Sequence, residues 1–98
     1  MVLKIAKFGA ILVSRQLGKE ALAAFNSDYK NLGNEIIEVD FENLEVLAPS
    51  WADEFFTPLQ KELGKQLRIR DNGNDSVTGT LRLLEETNKI KFNFITKS

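Results

Sequence analysis

The chain has no cysteine and no histidine among its 98 residues. Without cysteine it can form no disulfide, perform no thiol chemistry and build no cysteine metal site. Without histidine it lacks the usual general base near neutral pH and the commonest metal ligand in proteins. Carboxylates, lysines and hydroxyl groups therefore remain for any chemistry, and the sequence predicts no metal and no other cofactor.

An excess of charge of one sign is also missing, because 13 basic and 14 acidic residues leave a net charge of −1. Holding a nucleic-acid backbone requires a basic surface, so nucleic acid is not an expected partner. The apolar run from Phe8 to Val13 is too short for a membrane span or a secretion signal. We therefore expect a cytoplasmic protein that does not associate with membranes.

The length of the chain suits one small hydrophobic core. A chain of 98 residues can bury about two thirds of the surface that its unfolded form exposes. Apolar residues make up 43% and charged residues 28% of the chain, which is typical of folded rather than disordered proteins. We expect a single domain over residues 1–98.

Strand-like and helix-like segments alternate along the chain. Apolar periods of two and of 3.6 residues, bounded by glycine, serine, asparagine and aspartate, mark these segments. The predicted elements are a strand or hairpin turning at Phe8-Gly9, a helix from Ser14 to Gly33 or Asn34, a strand over Glu35–Phe41, a helix over Ser50–Leu63, a strand over Gln66–Arg70, a helix beginning at Asp75 or Ser76, and an edge strand over Lys89–Ile95. This order predicts an α/β domain with a mixed, mainly parallel sheet and about three helices packed on it.

Several details of these elements can be tested. Leu17 falls on the apolar stripe of the first helix, and Gly18, in its first turn, costs up to ~1 kcal/mol relative to alanine or permits a close backbone approach. Glu38 and Asp40 share one face of a strand, which predicts a partly open sheet. Pro58 predicts a kink or break in the helix over Ser50–Leu63, with Thr57 as a new cap.

The loop from Glu42 to Pro49 is where we expect a site, because sites in parallel sheets collect at the carboxyl ends of the strands. Asp40 and Ser50 flank this loop. Asp40 can hold a magnesium ion or orient a phosphate donor, but a single aspartate more commonly accepts backbone N–H groups in a turn. We favour the role in structuring the loop.

Ser50 stands where the second long helix is predicted to begin, and two roles are open to it. Its hydroxyl can cap the helix, with Asp53 three residues later as in a capping box. It can also carry a phosphate, because the free N–H groups and the dipole of a helix N-terminus favour an anion. Capping is the commoner role of such a serine.

Two further residues are candidates for binding. Trp51 lies one residue off the apolar stripe of its helix, which predicts a position at the margin of the core and, if exposed, an anchor for a partner. Arg15, at the start of the first helix, can receive an anion or pair with Asp40 or Asp53, although most surface arginines do neither.

Several motifs together resemble the STAS-like domain family DUF4325, over roughly Lys4 to Glu86. These motifs are Phe8-Gly9, Ser14-Arg15 with Gly18, Val39-Asp40-Phe41 with Leu44, the block Pro49-Ser50-Trp51-Ala52-Asp53-Glu54, and Ile69 with Asn72 and Asn74. That family is similar to the STAS domains of anti-sigma factor antagonists, in which a strand ending in aspartate leads to a helix opening with a phosphorylated serine. Aligned on Asp40 and Leu44, Ser50 falls on that phosphoacceptor position.

The resemblance implies a non-enzymatic regulatory module that binds a protein partner and is switched by phosphorylation of Ser50. Trp51, Asp53 and Glu54 would belong to the docking surface. The implied partner is a histidine-kinase-like ATPase or an anti-sigma-type kinase. The oligomeric state stays open, because an alternating edge strand is compatible with a monomer or a dimer.

A second hypothesis is a small nucleotide- or anion-binding domain. Arg15, Asp40 and the N-terminus of the Ser50 helix would form its pocket. An enzyme that uses Asp40, Asp53 or Glu54 as acid and base has the least support. Carboxylates near a helix N-terminus should be acidic rather than poised near neutral pH.

Overall fold

The computed structural model describes residues 1–96, so the predicted domain of residues 1–98 extends two residues past this range. Four strands form one sheet in which each strand is parallel to its neighbours. In spatial order these strands are β1 (Val2–Lys4), β3 (Ile37–Asp40), β5 (Leu67–Asp71) and β6 (Asn93–Thr96). A second, two-stranded parallel sheet joins β2 (Ile11–Leu12) to β4 (Val46–Leu47).

Three helices connect successive strands of the larger sheet, as parallel neighbours require. They are α1 (Arg15–Tyr29), α2 (Pro49–Leu63) and α3 (Asp75–Asn88), and two short 3-10 turns lie at Ile5–Phe8 and Gly64–Gln66. Within residues 1–96, no helix has both the length and the hydrophobicity of a membrane span. The α/β fold with a mainly parallel sheet, three helices and a C-terminal edge strand confirms the predicted class.

The sheet packs on the helices with one face and leaves the other open. Ile37, Val39 and Ile69 belong to the buried core together with side chains of all three helices. Between them in the strands, Glu38 and Arg68 project to the opposite face and are half-buried and exposed, respectively. Because successive side chains of a strand alternate between faces, this confirms the prediction of a partly open sheet.

The N-terminal segment does not form the hairpin that the glycine break at Phe8-Gly9 suggested. β1 pairs with β3, whereas β2 pairs with β4 in the smaller sheet. The 3-10 turn Ile5–Phe8 separates the two strands and lets each join a different partner. The hairpin interpretation is wrong because the partners of both strands lie far along the chain.

The predicted helix ends are confirmed in part. The Oγ atom of Ser14 accepts the N–H of Leu17 at 3.2 Å, so Ser14 caps α1 as predicted. The helix ends at Tyr29, earlier than predicted, and the chain continues in tight turns. Asn74, rather than Asp75 or Ser76, caps α3, because its Oδ1 atom accepts two N–H groups of the first turn.

Pro58 lies inside α2, which runs from Pro49 to Leu63 without a break. The ring of Pro58 is exposed, while the adjacent Thr57 and Leu59 are buried. Packing on both sides of the proline therefore holds the helix despite the missing N–H group. The prediction of a break at Pro58 with Thr57 as a new cap is wrong.

Candidate functional site

Ser50 is the second residue of α2 rather than its cap. The helix begins at Pro49, Ala48 holds the N-cap position, and no side chain caps this end. The fixed φ of proline suits the first helical position, so the helix starts at Pro49 rather than after Ser50. The predicted N-cap role of Ser50 is therefore wrong. The partly buried Ser50 instead donates its hydroxyl to the carbonyl oxygen of Val13 at 2.7 Å. This bond ties the start of α2 to the segment between β2 and α1.

Two carboxylates follow Ser50 on the same face of α2. Asp53 and Glu54 lie three and four residues later, a spacing that makes side chains neighbours on a helix surface. The Nη1 atom of Arg15, on α1, is 3.0 Å from Oε1 of Glu54 and 3.2 Å from Oδ2 of Asp53. Hydrogen bonds to Glu54 and Asp53 raise the pKa of Arg15 above its ordinary value. The predicted pairing of Arg15 with Asp53 is confirmed, and the alternative pairing with Asp40 is wrong.

Asp53 joins all three helices. Besides the bond from Arg15 of α1, its Oδ1 atom accepts bonds from Thr57 of α2 at 2.9 Å and from Asn88 of α3 at 3.3 Å. Burial alone would raise the pKa of Asp53, but the hydrogen bonds from Thr57, Arg15 and Asn88 outweigh it and hold the pKa below its usual value. Asp53 is therefore ionised at neutral pH. The predicted capping box with Ser50 is wrong, because side chains occupy the Asp53 oxygens.

A small cleft opens beside this cluster. It has a volume of about 160 Å³, and Arg15, Pro49, Asp53, Leu83 and Asn88 are among the residues that line it. Small-molecule sites usually have about 300–1,000 Å³, so this cleft is too small for a nucleotide. No cluster of three or more potential metal ligands (His, Cys, Asp or Glu) occurs in the described part of the chain.

Asp40 lies in a separate cluster on the open face of the sheet. It is 3% exposed, and its Oδ1 atom accepts the N–H of Glu42 at 2.9 Å, which agrees with the predicted role in structuring the loop. Its Oδ2 atom accepts a bond from Arg70 at 3.2 Å, and the same guanidinium donates to Glu38 at 2.6 Å. Over residues 1–96, no recorded side-chain bond links this cluster to Ser50. The expected convergence of Asp40 and Ser50 at one site is therefore not observed.

Trp51 is part of the core. It is 1% exposed and its ring stacks on that of Phe55, with a centroid distance of 5.0 Å and an interplanar angle of 21°. The predicted position at the margin of the core is wrong, because α2 packs against α1, α3 and β5 and so buries a wider face than its apolar stripe predicts. The exposure on which an anchor role depended is not observed. Gly18 of α1 allows this packing, since a Cβ atom there would lie 2.5 Å from the carbonyl oxygen of Trp51.

Comparison of the sequence with models of known protein families shows which family the chain resembles. The profile of the STAS-like domain of unknown function (DUF4325) matches residues 18–77, which is more than half of the chain. The chain belongs to the STAS-like DUF4325 family. Comparisons with curated proteins and with solved structures gave no match.

The matched segment of this STAS-like domain includes most of the residues that the sequence predicted for a site. Asp40, Ser50, Asp53 and Glu54 lie within residues 18–77, whereas Arg15 lies before them. Arg15 reaches the site because α1 crosses the start of α2, a contact between parts of the chain 38 and 39 residues apart.

An apolar surface of the STAS-like domain escaped the sequence analysis. Leu17 falls on the apolar stripe of α1 but is 59% exposed, and Ile11 and Val13 are 59% and 51% exposed. These three side chains line a cleft of about 320 Å³ between β2 and α1, named here the α1 cleft. The available sequence signal was the alternation of Ile11 and Val13 around Leu12. In extended chain this alternation puts two branched apolar side chains on the face opposite Leu12.

Proposed function

We propose that this STAS-like domain is a non-enzymatic regulatory module that binds a protein partner and is switched by phosphorylation of Ser50. The observation that carries the proposal is the position of the Ser50 hydroxyl. It is partly exposed at the start of a 15-residue helix, where its recorded bond is the one to the carbonyl of Val13. The resemblance to anti-sigma factor antagonists supports the same residue.

Phosphorylation would change both the bonding and the charge of this surface. The γ-phosphoryl group of ATP would bond to Oγ of Ser50, the hydroxyl proton would pass to a base of the kinase, and ADP would leave. The resulting ester oxygen has no proton, so the bond to Val13 would be lost. The phosphate would add about −1.5 to −2 charges, which the helix dipole favours and the nearby Asp53 and Glu54 oppose.

Arg15 supplies a counter-ion for such a phosphate. Its guanidinium already contacts Asp53 and Glu54, one turn from Ser50 on the same helix. A phosphate on Ser50 would compete with these two carboxylates for Arg15, since bidentate Arg–phosphate pairs are strong. Partner contacts made by Arg15, Asp53 and Glu54 would then differ between the two states of the serine.

The chemistry of the site favours binding over catalysis. The hydroxyl of Ser50 donates to a backbone carbonyl, which does not act as a general base. Asp53, with its lowered pKa, is a poor proton donor or acceptor near neutral pH. The phosphoryl transfer is therefore assigned to the partner, which we place in the class of histidine-kinase-like ATPases or anti-sigma-type kinases acting with ATP in the cytoplasm.

The proposal is tested by capturing partners from a lysate of the host organism with ATP present. The bait proteins are the wild type, Ser50→Ala, Ser50→Asp and the control Ser27→Asp, since Ser27 is an exposed serine of α1 that also donates to a carbonyl. We expect a kinase-class partner to be retained by wild type and by Ser27→Asp and lost by Ser50→Asp, with phosphate on Ser50 detected by mass spectrometry. Equal binding by all four proteins, with no phosphate on Ser50, would refute the switch.

The second candidate is a small anion-binding domain at the same helix N-terminus, since the cleft of about 160 Å³ beside it is too small for a nucleotide. One observation favours it, because no side chain caps α2 and its first N–H groups therefore lack a side-chain acceptor. Against it, Arg15 is engaged by two carboxylates and Asp40 belongs to another cluster. A thermal-shift screen decides, since a ligand at a hundred times its dissociation constant stabilises by about 2.7 kcal/mol.

A further inference from the structure

The α1 cleft adjoins the switch residue. Val13, one of its exposed apolar walls, is also the residue whose carbonyl accepts the hydroxyl of Ser50 at 2.7 Å. The position of this wall therefore depends on the same hydrogen bond that phosphorylation would remove. The cleft and Ser50 are two parts of one surface.

The shape of the α1 cleft follows one face of α1. Leu17, Ala21 and Ala24 line it, and their spacing of four and three residues places them on successive turns of the same helix face. Small alanine side chains beside a large leucine leave a trough along the helix, with Ile11 and Val13 on the other side. A trough of this form accepts the apolar stripe of a second helix, whose large side chains recur with the same spacing.

The charge of the cleft indicates what must face it. Among the described residues that line the cleft, Glu20 alone is charged. Within residues 1–96, no recorded salt bridge or side-chain hydrogen bond involves Glu20. A basic residue beside the apolar stripe of an incoming helix would complement this carboxylate.

The size of the exposed surface argues against a second copy of this chain as the occupant. Three exposed side chains form a patch of the order of a few hundred Å², which is typical of a functional patch on a monomer. A stable protein–protein interface buries about 800 Å² on each partner. The patch is therefore suited to a single short segment rather than to a dimer.

We propose that the α1 cleft binds an amphipathic helix of a protein partner, with its apolar side chains against Leu17 and Val13 and a lysine or arginine facing Glu20. This inference rests on the proposed regulatory function, to which it adds the chemistry of the bound segment. Loss of the Ser50–Val13 bond on phosphorylation displaces one wall of the cleft, and the phosphate thereby weakens binding of the helix.

The test uses synthetic amphipathic helical peptides of about four turns, with leucines at helical spacing and either lysine or glutamate beside the leucine stripe. Each peptide is titrated into the isotope-labelled full chain, and amide chemical shifts locate the contact. We expect the lysine peptides to bind with shifts confined to the cleft, from Ile11 to Val13 and from Leu17 to Ala24. Leu17→Ser should weaken binding about tenfold, while Ile36→Ser, which removes an exposed isoleucine outside this cleft, should leave it unchanged. Glu20→Lys should reverse the preference, so that the glutamate peptides bind more tightly.

Several results would overturn the proposal. They are the absence of binding by every peptide, shifts located away from the cleft, or equal affinities for wild type and Leu17→Ser. Dimerisation of the free chain that Leu17→Ser abolishes, measured by sedimentation, would assign the cleft to a second copy instead.

A chain carrying phosphoserine at position 50 separates the two proposals. Unchanged peptide affinity in that chain would support the cleft and refute its coupling to Ser50, whereas loss of affinity would support both.

Discussion

The close approach of α1 to α2 at Gly18 is the contact that most directly positions the candidate site. A Cβ atom at this position would lie 2.5 Å from the carbonyl oxygen and 3.0 Å from the Cα atom of Trp51. Both atoms belong to the backbone of a buried residue, so they cannot move aside as a flexible side chain can. We therefore expect Gly18→Ala to be destabilising, although alanine is the better helix former.

The steric cost of Gly18→Ala can be separated from the gain in helix propensity by comparison with a second helical glycine. Gly79 lies inside α3, and a Cβ atom there meets nothing within 4 Å. Gly79→Ala should therefore raise the free energy of unfolding by about 0.5–1 kcal/mol through helix propensity alone. The same propensity gain is present in Gly18→Ala, so the difference between the two variants measures the steric term, which we expect to be about 1–3 kcal/mol.

Urea unfolding at neutral pH provides the measurement. Because the slope of the transition should be similar in both variants, the difference should appear as a shift of the midpoint. Thermal unfolding should rank the two variants in the same order, with a change of roughly 4–8 °C in the midpoint temperature for each kcal/mol in a domain of this size. If Gly18→Ala were as stable as Gly79→Ala, α1 and α2 would not approach as closely as the structure shows, and the placement of Arg15 against Asp53 and Glu54 would lose its basis.

Two further predictions concern titratable groups. Burial first, and then the hydrogen bond to Glu62 at 2.6 Å, raise the pKa of Tyr29 to about 12. An absorbance titration of this one tyrosine should therefore show ionisation near pH 12 in the folded chain, against about pH 10 in urea. The raised pKa also contributes to the free energy of unfolding, and this contribution should be complete below about pH 10 and lost as the pH rises towards 12. Glu62→Gln should lower the midpoint only in part, and a native midpoint of about 10 would contradict the contact. Asp53→Asn should lower the free energy of unfolding at pH 7, because the pKa of Asp53 is lowered in the folded chain. The stability that this lowered pKa provides is present above about pH 4 and is lost as the pH falls through the pKa of the folded chain. In urea unfolding at about pH 3, the difference from wild type should shrink, and a difference that does not change with pH would refute the role of the charge.

The class of the fold could be predicted from local patterns. Alternating apolar residues in β3 and a helical stripe in α2 each specify an element and its buried face, because periods of two and 3.6 residues follow from backbone geometry. The cap at Ser14 and the charged outer face of β3 are equally local and were predicted correctly. The family resemblance also depends on such local motifs, and the profile match over residues 18–77 agrees with it.

The details of the candidate site could be predicted only in part. Arg15 was expected to pair with Asp53, but the sequence could not choose between Asp53 and Asp40, since the choice depends on which helix crosses α1. Arg70 was not expected beside Asp40, because this pair forms only when β3 and β5 become neighbours in the sheet. Ser50 was placed at the correct helix end, but Pro49 took the first helical position and turned its hydroxyl towards Val13.

The amino-acid sequence by itself determined the elements, their apolar faces and the absence of thiol and imidazole chemistry. The tertiary structure decided which faces are covered by a neighbour. Trp51 is buried because α2 has packing partners on several sides, whereas Leu17, on a similar apolar stripe, is exposed beside the α1 cleft. The physical reason is that the apolar period of a segment shows only which of its side chains share one face of the helix or strand. Whether that face is buried depends on contacts between segments far apart in the chain.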